Sequence, residues 1–212
     1  MKRLDKRRQS AHNEGAAEDE TIIVNQTPRV QKREREGEEV FRFPMRYLFF
    51  PTRYVGRVTA LTPQRLADWG IASLLLDADC TLKRYPEPLP EEDILRWLEQ
   101  TRAAGISLAL VSNGLGPRIS RLAGELKLPF TARALKPLPG GVRRAMRENN
   151  MDPKHTAMVG DQLFADIWAG NLAGIQTILV DPIHPEEEHW FTRLKRPPER
   201  LMKLPLKRDD LP

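Results

Sequence analysis

The sequence predicts an α/β domain: a doubly wound, five-stranded parallel sheet with a Rossmann-like core and no large cap domain. Three observations predict it. Short apolar runs of strand length recur along the chain, segments with helical spacing of apolar residues separate them, and polar or acidic residues follow the runs directly.

The first run, residues 71–76, lies between Gly70 and Asp77 and reads as a strand buried on both faces. Residues 91–104 form a helix whose apolar face is Ile94, Leu95, Trp97 and Leu98, with Gly105 at its end. Residues 106–111 are a second strand, and Ile119, Leu122, Ala123 and Leu126 mark the next helix. A strand at 130–134, a helix at 142–149, a strand at 156–159, a helix at 164–172 and a strand at 177–180 complete the set. Only one helix fits between Thr81 and the second strand and again between Ala134 and Thr156, so no cap domain is inserted.

The ends of the chain differ from this middle. Residues 1–39 lack sustained apolar periodicity and are expected to be a disordered tail. Residues 40–185 are expected to form the domain. They open with aromatics alternating with Arg42, Arg46 and Arg53, a pattern suited either to packing on the domain or to a membrane interface. Residues 186–212 are a basic C-terminal extension, where only Glu199 opposes the lysines and arginines of 193–208, and the net charge of +5 is concentrated there. No apolar run is long enough to span a membrane, the basic N-terminus leads into polar sequence, and the lone Cys80 excludes an internal disulfide. The expected setting is cytoplasmic. His155, His184 and His189 lack metal-ligand spacing.

Four successive strands end in reactive groups: Asp77 and Asp79, then Ser112 and Asn113, then Lys136, then Asp161. In a parallel sheet these ends share one edge and can converge on one crevice. Asp77, Asp79 and Asp161 together repel one another, and a hard divalent cation such as Mg2+ relieves the repulsion through oxygen ligands. Three carboxylates, a lysine and a hydroxyl match phosphoryl transfer, with a carboxylate nucleophile giving an aspartyl-phosphate. A second acid two residues on, Asp79, is placed to protonate the leaving alkoxide and then deprotonate water, provided its pKa is held high enough.

These residues carry a resemblance. LLLDADCTL at 74–82 resembles the first motif of the haloacid dehalogenase superfamily, an apolar strand followed by Asp-x-Asp-x-Thr. ALVSNG at 109–114, Lys136 with Pro137, and VGDQLFAD at 159–166 resemble the other three. The resemblance implies that Asp77 is nucleophile and metal ligand, that Asp79 is acid/base and offers its carbonyl to the metal, and that Asp161 is a metal ligand. It also implies that Thr81, Ser112, Asn113 and Lys136 bind substrate, with Asp166 ordering the second shell or pairing with Lys136. From Tyr47 to Leu204 the chain further resembles the YqeG group of class IIIA phosphatases, related to phosphatidylglycerophosphate phosphatases. Ala78, Cys80 and Ala165 stand where that group usually has Leu, Asn and Thr.

The resemblance implies a Mg2+-dependent phosphatase that dephosphorylates phosphatidylglycerophosphate at the inner face of a membrane. An uncovered site and the basic extension fit an anionic phospholipid surface. The competing readings are a capless phosphatase of a soluble metabolite, nucleotide or phosphoprotein, and a non-enzymatic scaffold binding RNA or a ribosomal surface through the basic tail. Convergence of the five strand-end residues argues against the scaffold, and with it against nucleic acid as a partner.

Overall fold

The structure is a computed structural model that describes residues 48–187 and 196–210. The expected N-terminal tail, the first residues of the aromatic and arginine segment, and Trp190, Phe191, Arg193 and Lys195 lie outside the described residues.

Six strands form one sheet: β1 (Arg53–Val55), β2 (Ser73–Leu76), β3 (Ser107–Val111), β4 (Phe130–Thr131), β5 (Thr156–Gly160) and β6 (Gln176–Val180). Their spatial order is β1-β6-β5-β2-β3-β4, and every pair is parallel. The sixth strand, β1, corrects the five-strand expectation. Its three residues, Arg53, Tyr54 and Val55, bury only Val55 fully, so the apolar run that marks an interior strand is missing.

The helices are α1 (Pro63–Asp68), α2 (Glu92–Ala103), α3 (Gly116–Leu126), α4 (Gly140–Glu148), α5 (Trp168–Ala173) and α6 (Arg196–Lys203). Alternate residues of the central strands face opposite layers. Leu74, Leu76, Leu108 and Leu110 pack with Leu66, Trp97, Ile119 and Leu122 of α1, α2 and α3. Leu75, Ala109, Val111 and Met158 pack with Val142, Ala145 and Ala169 of α4 and α5. Both faces of the sheet are thus covered, which is why β2 reads as an uninterrupted apolar run. At roughly 25 cal/mol per Å2 of apolar surface, each fully buried leucine of this core contributes about 2 kcal/mol relative to exposure.

The chain steps from β2 to β3 and β4, then returns to place β5 on the other side of β2. That reversal opens a crevice at the carboxyl ends of β2 and β5, where an open α/β sheet binds its ligands. No large cap is inserted: a single α-helix, α2, lies between β2 and β3, and α4 with a short 3-10 turn, Pro153–His155, lies between β4 and β5.

Residues 48–55 pack on the domain. Phe49 meets the rings of Phe164 and Trp168 edge-on at 5.5 and 4.7 Å, and Asn171 donates to the carbonyls of Leu48 and Phe50. The described part of the C-terminal extension packs on the domain. Tyr54 N donates to Asp209 Oδ2 at 2.7 Å, Asp209 N donates to Tyr54 O at 2.6 Å, and Gly56 N donates to Asp210 Oδ2 at 3.0 Å. These bonds occupy the open edge of β1, which would otherwise offer unpaired backbone groups to another chain. Met202 and Leu206 pack with Leu163, Ile167 and Leu179 beneath. Arg208 of the basic run is paired with Asp210 at 2.8 Å.

Candidate active site

Asp77 follows β2 directly, and its backbone N–H still donates to Val159 O of β5 at 2.9 Å. The strand pairing therefore fixes Asp77 beside the end of β5, where Asp161 follows Gly160. Asp166 arrives on a single π-helical turn, Leu163–Ile167, ahead of α5. Sequence periodicity gave one continuous helix here; the wider turn swings Asp166 inward. Gly160 makes room for it, since a Cβ at that position would lie 2.3 Å from the Asp166 side chain. Asp166 Oδ2 accepts from Gln162 N at 3.1 Å, which ties the carboxylate to its own loop.

Lys136 comes from beyond β4. That strand is shorter than expected because Arg133 and Leu135 adopt positive φ and turn the chain back toward the sheet. Three contacts lock the loop. Asn113 Nδ2 donates to Lys136 O at 2.9 Å, Lys136 N donates to Asn113 Oδ1 at 2.8 Å, and Ala134 N donates to Ser112 O at 3.0 Å. Gly141 of α4 approaches Ala134 so closely that a Cβ would meet its carbonyl oxygen at 2.4 Å. With both of its amide atoms on the Lys136 backbone, Asn113 orients that lysine. Ser112 Oγ accepts from Gly114 N at 3.0 Å.

The four side chains meet underground. Lys136 Nζ lies 2.5 Å from Asp77 Oδ1 and 2.6 Å from Asp166 Oδ1, and it donates to Val111 O at 2.8 Å. Carboxylate oxygens of Asp77, Asp161 and Asp166 lie within 4.8 Å of one another. Thr81 Oγ1 donates to Asp161 Oδ1 at 3.1 Å. All four charged groups are buried.

Burial pushes the Asp77 carboxyl well above its usual range; the Lys136 charge pulls it back, and the negative charges of Asp166 and Asp161 push it up again. Burial likewise raises Asp166, against the opposing pull of Lys136. For Lys136 burial acts downward, but the charges of Asp166 and Asp77 outweigh it and hold the ammonium above the ordinary lysine range. Three acidic groups around one ammonium, all hard oxygen donors, fit a divalent cation, whose charge would offset both the mutual repulsion and the desolvation. Asp77, Asp161 and Asp166 are the side chains able to hold it.

Asp79 stands apart from that cluster. Its carboxylate pairs with Lys83 Nζ at 2.8 Å and accepts a two-pronged contact from Arg118, with Nη1 to Oδ1 at 2.8 Å and Nη2 to Oδ2. Burial raises its pKa, but the hydrogen bonds from Arg118 and Lys83 outweigh burial and leave it below the usual carboxylate range. The acid role expected of Asp79 from sequence is conditional on a raised pKa; in this arrangement Arg118 and Lys83 act in the opposite direction. Sequence reasoning missed Lys83 and Arg118. Neither sits at a strand end, and Lys83 reaches Asp79 only through the tight loop in which Cys80 takes a φ of 61° and its N–H donates to Lys83 O at 2.7 Å. A second acidic group, His184 with Glu186 and Glu187, is occupied internally: Glu186 accepts from or pairs with His184, and Glu187 pairs with Arg84. His155 is exposed with Nδ1 2.8 Å from Gly70 O, and His189 lies outside the described residues.

The chain is similar to several known proteins. The HAD-hydrolase-like family model matches residues 134–183, from the Lys136 loop through β6. The protein named "Probable phosphatase YqeG" of Bacillus subtilis (strain 168) is 30% identical over 164 residues, covering 77% of this chain and 95% of that one. Among solved structures, an uncharacterized protein from Listeria monocytogenes serotype 4b matches with a TM-score of 0.44 at 17% identity, over 63% of this chain and 100% of that one. The cobalt-bound deoxy-D-mannose-octulosonate 8-phosphate phosphatase from Haemophilus influenzae matches with a TM-score of 0.42 at 16% identity, over 52% of this chain and 68% of that one. Phosphatases of this family generally use a divalent metal, in keeping with the buried carboxylates at the ends of β2 and β5. The relationship to YqeG over nearly its whole length, together with the HAD-hydrolase-like match, identifies the chain as a member of the haloacid dehalogenase superfamily and, within it, a phosphatase.

Proposed function

We propose that the protein hydrolyses phosphatidylglycerophosphate to phosphatidylglycerol and phosphate, with Mg2+ as its cation and Asp77 as its nucleophile. The observation that carries this reading is the buried convergence of Asp77, Asp161, Asp166 and Lys136 at the switch point of the sheet.

In the first half-reaction an Asp77 carboxylate oxygen attacks phosphorus, the bond from phosphorus to the leaving alkoxide breaks, and the alkoxide takes a proton from solvent water at the open crevice, to which Asp79 returns the proton it takes in the second half-reaction. In the second, water attacks the aspartyl-phosphate, and phosphate leaves as the Asp77 carboxylate reforms. Lys136 neutralises phosphoryl oxygens and holds Asp77 in line, while Asn113 holds Lys136. Thr81, whose hydroxyl holds Asp161, and Ser112 belong to the same sheet edge, and Asp79, two residues after the nucleophile, stands outside the carboxylate cluster. Ionised between Lys83 and Arg118, Asp79 is in the form that accepts a proton from water in the second half-reaction. Asp77 and Asp161, with Asp166 beside them, would hold Mg2+, which when bound neutralises charge on the transferring phosphoryl group.

A lipid substrate is supported by the uncapped crevice and by its rim. The loops carrying Asn113 and Lys136 expose Leu115, Leu135 and Leu138, side chains that ordinarily seek an apolar environment. Arg133, exposed on the same rim, suits an anionic surface. No helix among the described residues is long and apolar enough to cross a membrane, so the contact proposed is peripheral.

Phosphate release is measured from phosphatidylglycerophosphate in vesicles with Mg2+, with a chelator, and with Asp77→Asn. Release that needs both the cation and Asp77 is expected. No release from the lipid, together with rapid hydrolysis of a small phosphomonoester, would shift the assignment to a metabolite, nucleotide or phosphoprotein.

A further inference from the structure

Asp79 has two cations, and they are unlike. Lys83 is buried, with only 3% of its side chain exposed, and its ammonium also donates to the carbonyls of Arg84 at 3.1 Å and Tyr85 at 3.2 Å. It is built in. Arg118, in the first turn of α3, leaves 43% of its side chain exposed, with its guanidinium 5.6 Å from the Tyr85 ring centroid. Its Nη2 also lies over Gly114, 3.0 Å from where a Cβ would stand, directly beside the loop that carries Ser112 and Asn113. Asp79 therefore keeps a buried cation when Arg118 turns away, whereas the removal of Lys83 would leave it only the exposed Arg118.

We propose that Arg118 is a specificity-determining residue that exchanges Asp79 for a second anionic group of the substrate, a phosphodiester on the leaving-group side of the scissile phosphomonoester. The planar guanidinium fork now closed on a carboxylate matches a phosphodiester equally well, as two parallel N–H donors to two oxygens. The swap costs Asp79 little, because Lys83 stays. Tyr85 supports the guanidinium from one side, so the fork turns about a fixed stem instead of searching solvent. This assignment rests on Asp77 being the nucleophile, since that residue sets which side of the crevice receives the leaving group.

The test compares two soluble substrates under the same Mg2+ concentration: p-nitrophenyl phosphate, which has no second anion, and the deacylated headgroup glycerophosphoglycerol phosphate, which has one. Arg118→Gln is expected to lower the ratio of kcat/KM for the headgroup over the simple ester about tenfold, carried by KM, with Arg118→Lys intermediate. A fall of threefold or more supports the assignment, and a smaller one overturns it. If Arg118→Gln does not fold, Arg118→Lys is judged by the same threshold. A loss seen only with the lipid in vesicles, and absent with the soluble headgroup, overturns the assignment in favour of a membrane-surface contact. Asp77→Asn separates the two levels: if it still turns over both substrates the nucleophile reading fails, and if it is inert while the Arg118 ratio is unmoved only the Arg118 reading fails.

Discussion

The ammonium of Lys136 lies 2.5 Å from Asp77 Oδ1 and 2.6 Å from Asp166 Oδ1, deep below the crevice floor. It is the only cation drawn into contact with both carboxylates among the described ion pairs. Replacing it by a methionine of similar reach keeps the volume and removes the charge, leaving two acidic groups in a site that already disfavours their ionisation. Removing one partner of a buried pair costs about 3–5 kcal/mol. Lys136→Met should accordingly unfold at lower denaturant concentration and lose phosphatase activity at least a hundredfold. Denaturation at neutral pH and again at pH 5 checks the cause, because protonating the abandoned carboxylates should narrow the gap to wild type.

Asp77→Asn removes one of three crowded acids instead of the cation that calms them. Its carboxamide relieves repulsion on Asp161 and Asp166, so without divalent cation the variant should be no less stable than wild type. Adding Mg2+ should then separate the two proteins. A ligand at a hundred times its Kd stabilises the folded state by about 2.7 kcal/mol. Wild type should show a rise in Tm with Mg2+, and Asp77→Asn a much smaller one. Equal shifts in both would mean that the cation binds elsewhere.

Much of this arrangement was legible in the chain because parallel strands advertise themselves. The runs of β2, β3 and β5 are apolar on both faces, and the polar residues that follow them, Asp77, Ser112 and Asp161, are the ones delivered to the crevice edge, whereas Asp181 after β6 meets Tyr54 instead. The α2 boundaries fell within one residue, since Gly105 at positive φ ends the helix by local chemistry. What escaped was held by tertiary contact. β1 is a strand because Arg53, Tyr54 and Val55 find Ile178, Leu179 and Val180 beside them, not because three such residues favour extension. Lys83 and Arg118 gain their meaning only when the 79–83 loop and α3 are brought together around Asp79. The C-terminal basic run read as tail because its anchors, Glu199, Met202, Leu206 and Asp209, are sparse along the sequence and meaningful only against the sheet edge.

Glu199 shows how that extension reaches the site. Its carboxylate, 1% exposed, accepts from Phe164 N at 3.1 Å, within the turn that carries Asp166. An N–H stranded by Glu199→Ala costs about 1–3 kcal/mol. Because the loss falls on the turn and not on the whole sheet, amide exchange around Phe164 and Asp166 should quicken before exchange in β2 or β5 does. Activity should fall several-fold through kcat, and Glu199→Gln, which still offers an oxygen, should recover most of it. Uniform loss of protection across the sheet would assign Glu199 to global stability alone.

Tyr54 links β1 to the loop after β6, where its hydroxyl donates to Asp181 Oδ1 at 2.5 Å. Burial raises the phenol pKa first, the hydrogen bond to Asp181 and that residue's negative charge raise it further, and Arg208 pulls it down only in part. The folded value therefore lies above that of an unfolded tyrosine, about 10. A folded protein that resists losing the proton is favoured wherever tyrosine is neutral, so this contribution is fully present below pH 10. It drains away as pH climbs above the unfolded value toward the folded one, because the unfolded chain releases the proton first and gains from doing so. Wild-type stability should thus drop between pH 9.5 and 11 more steeply than that of Tyr54→Phe, which has no proton to lose at this position. Urea midpoints measured across that range decide the matter, and parallel slopes for the two proteins would remove Tyr54 as the source of alkaline sensitivity.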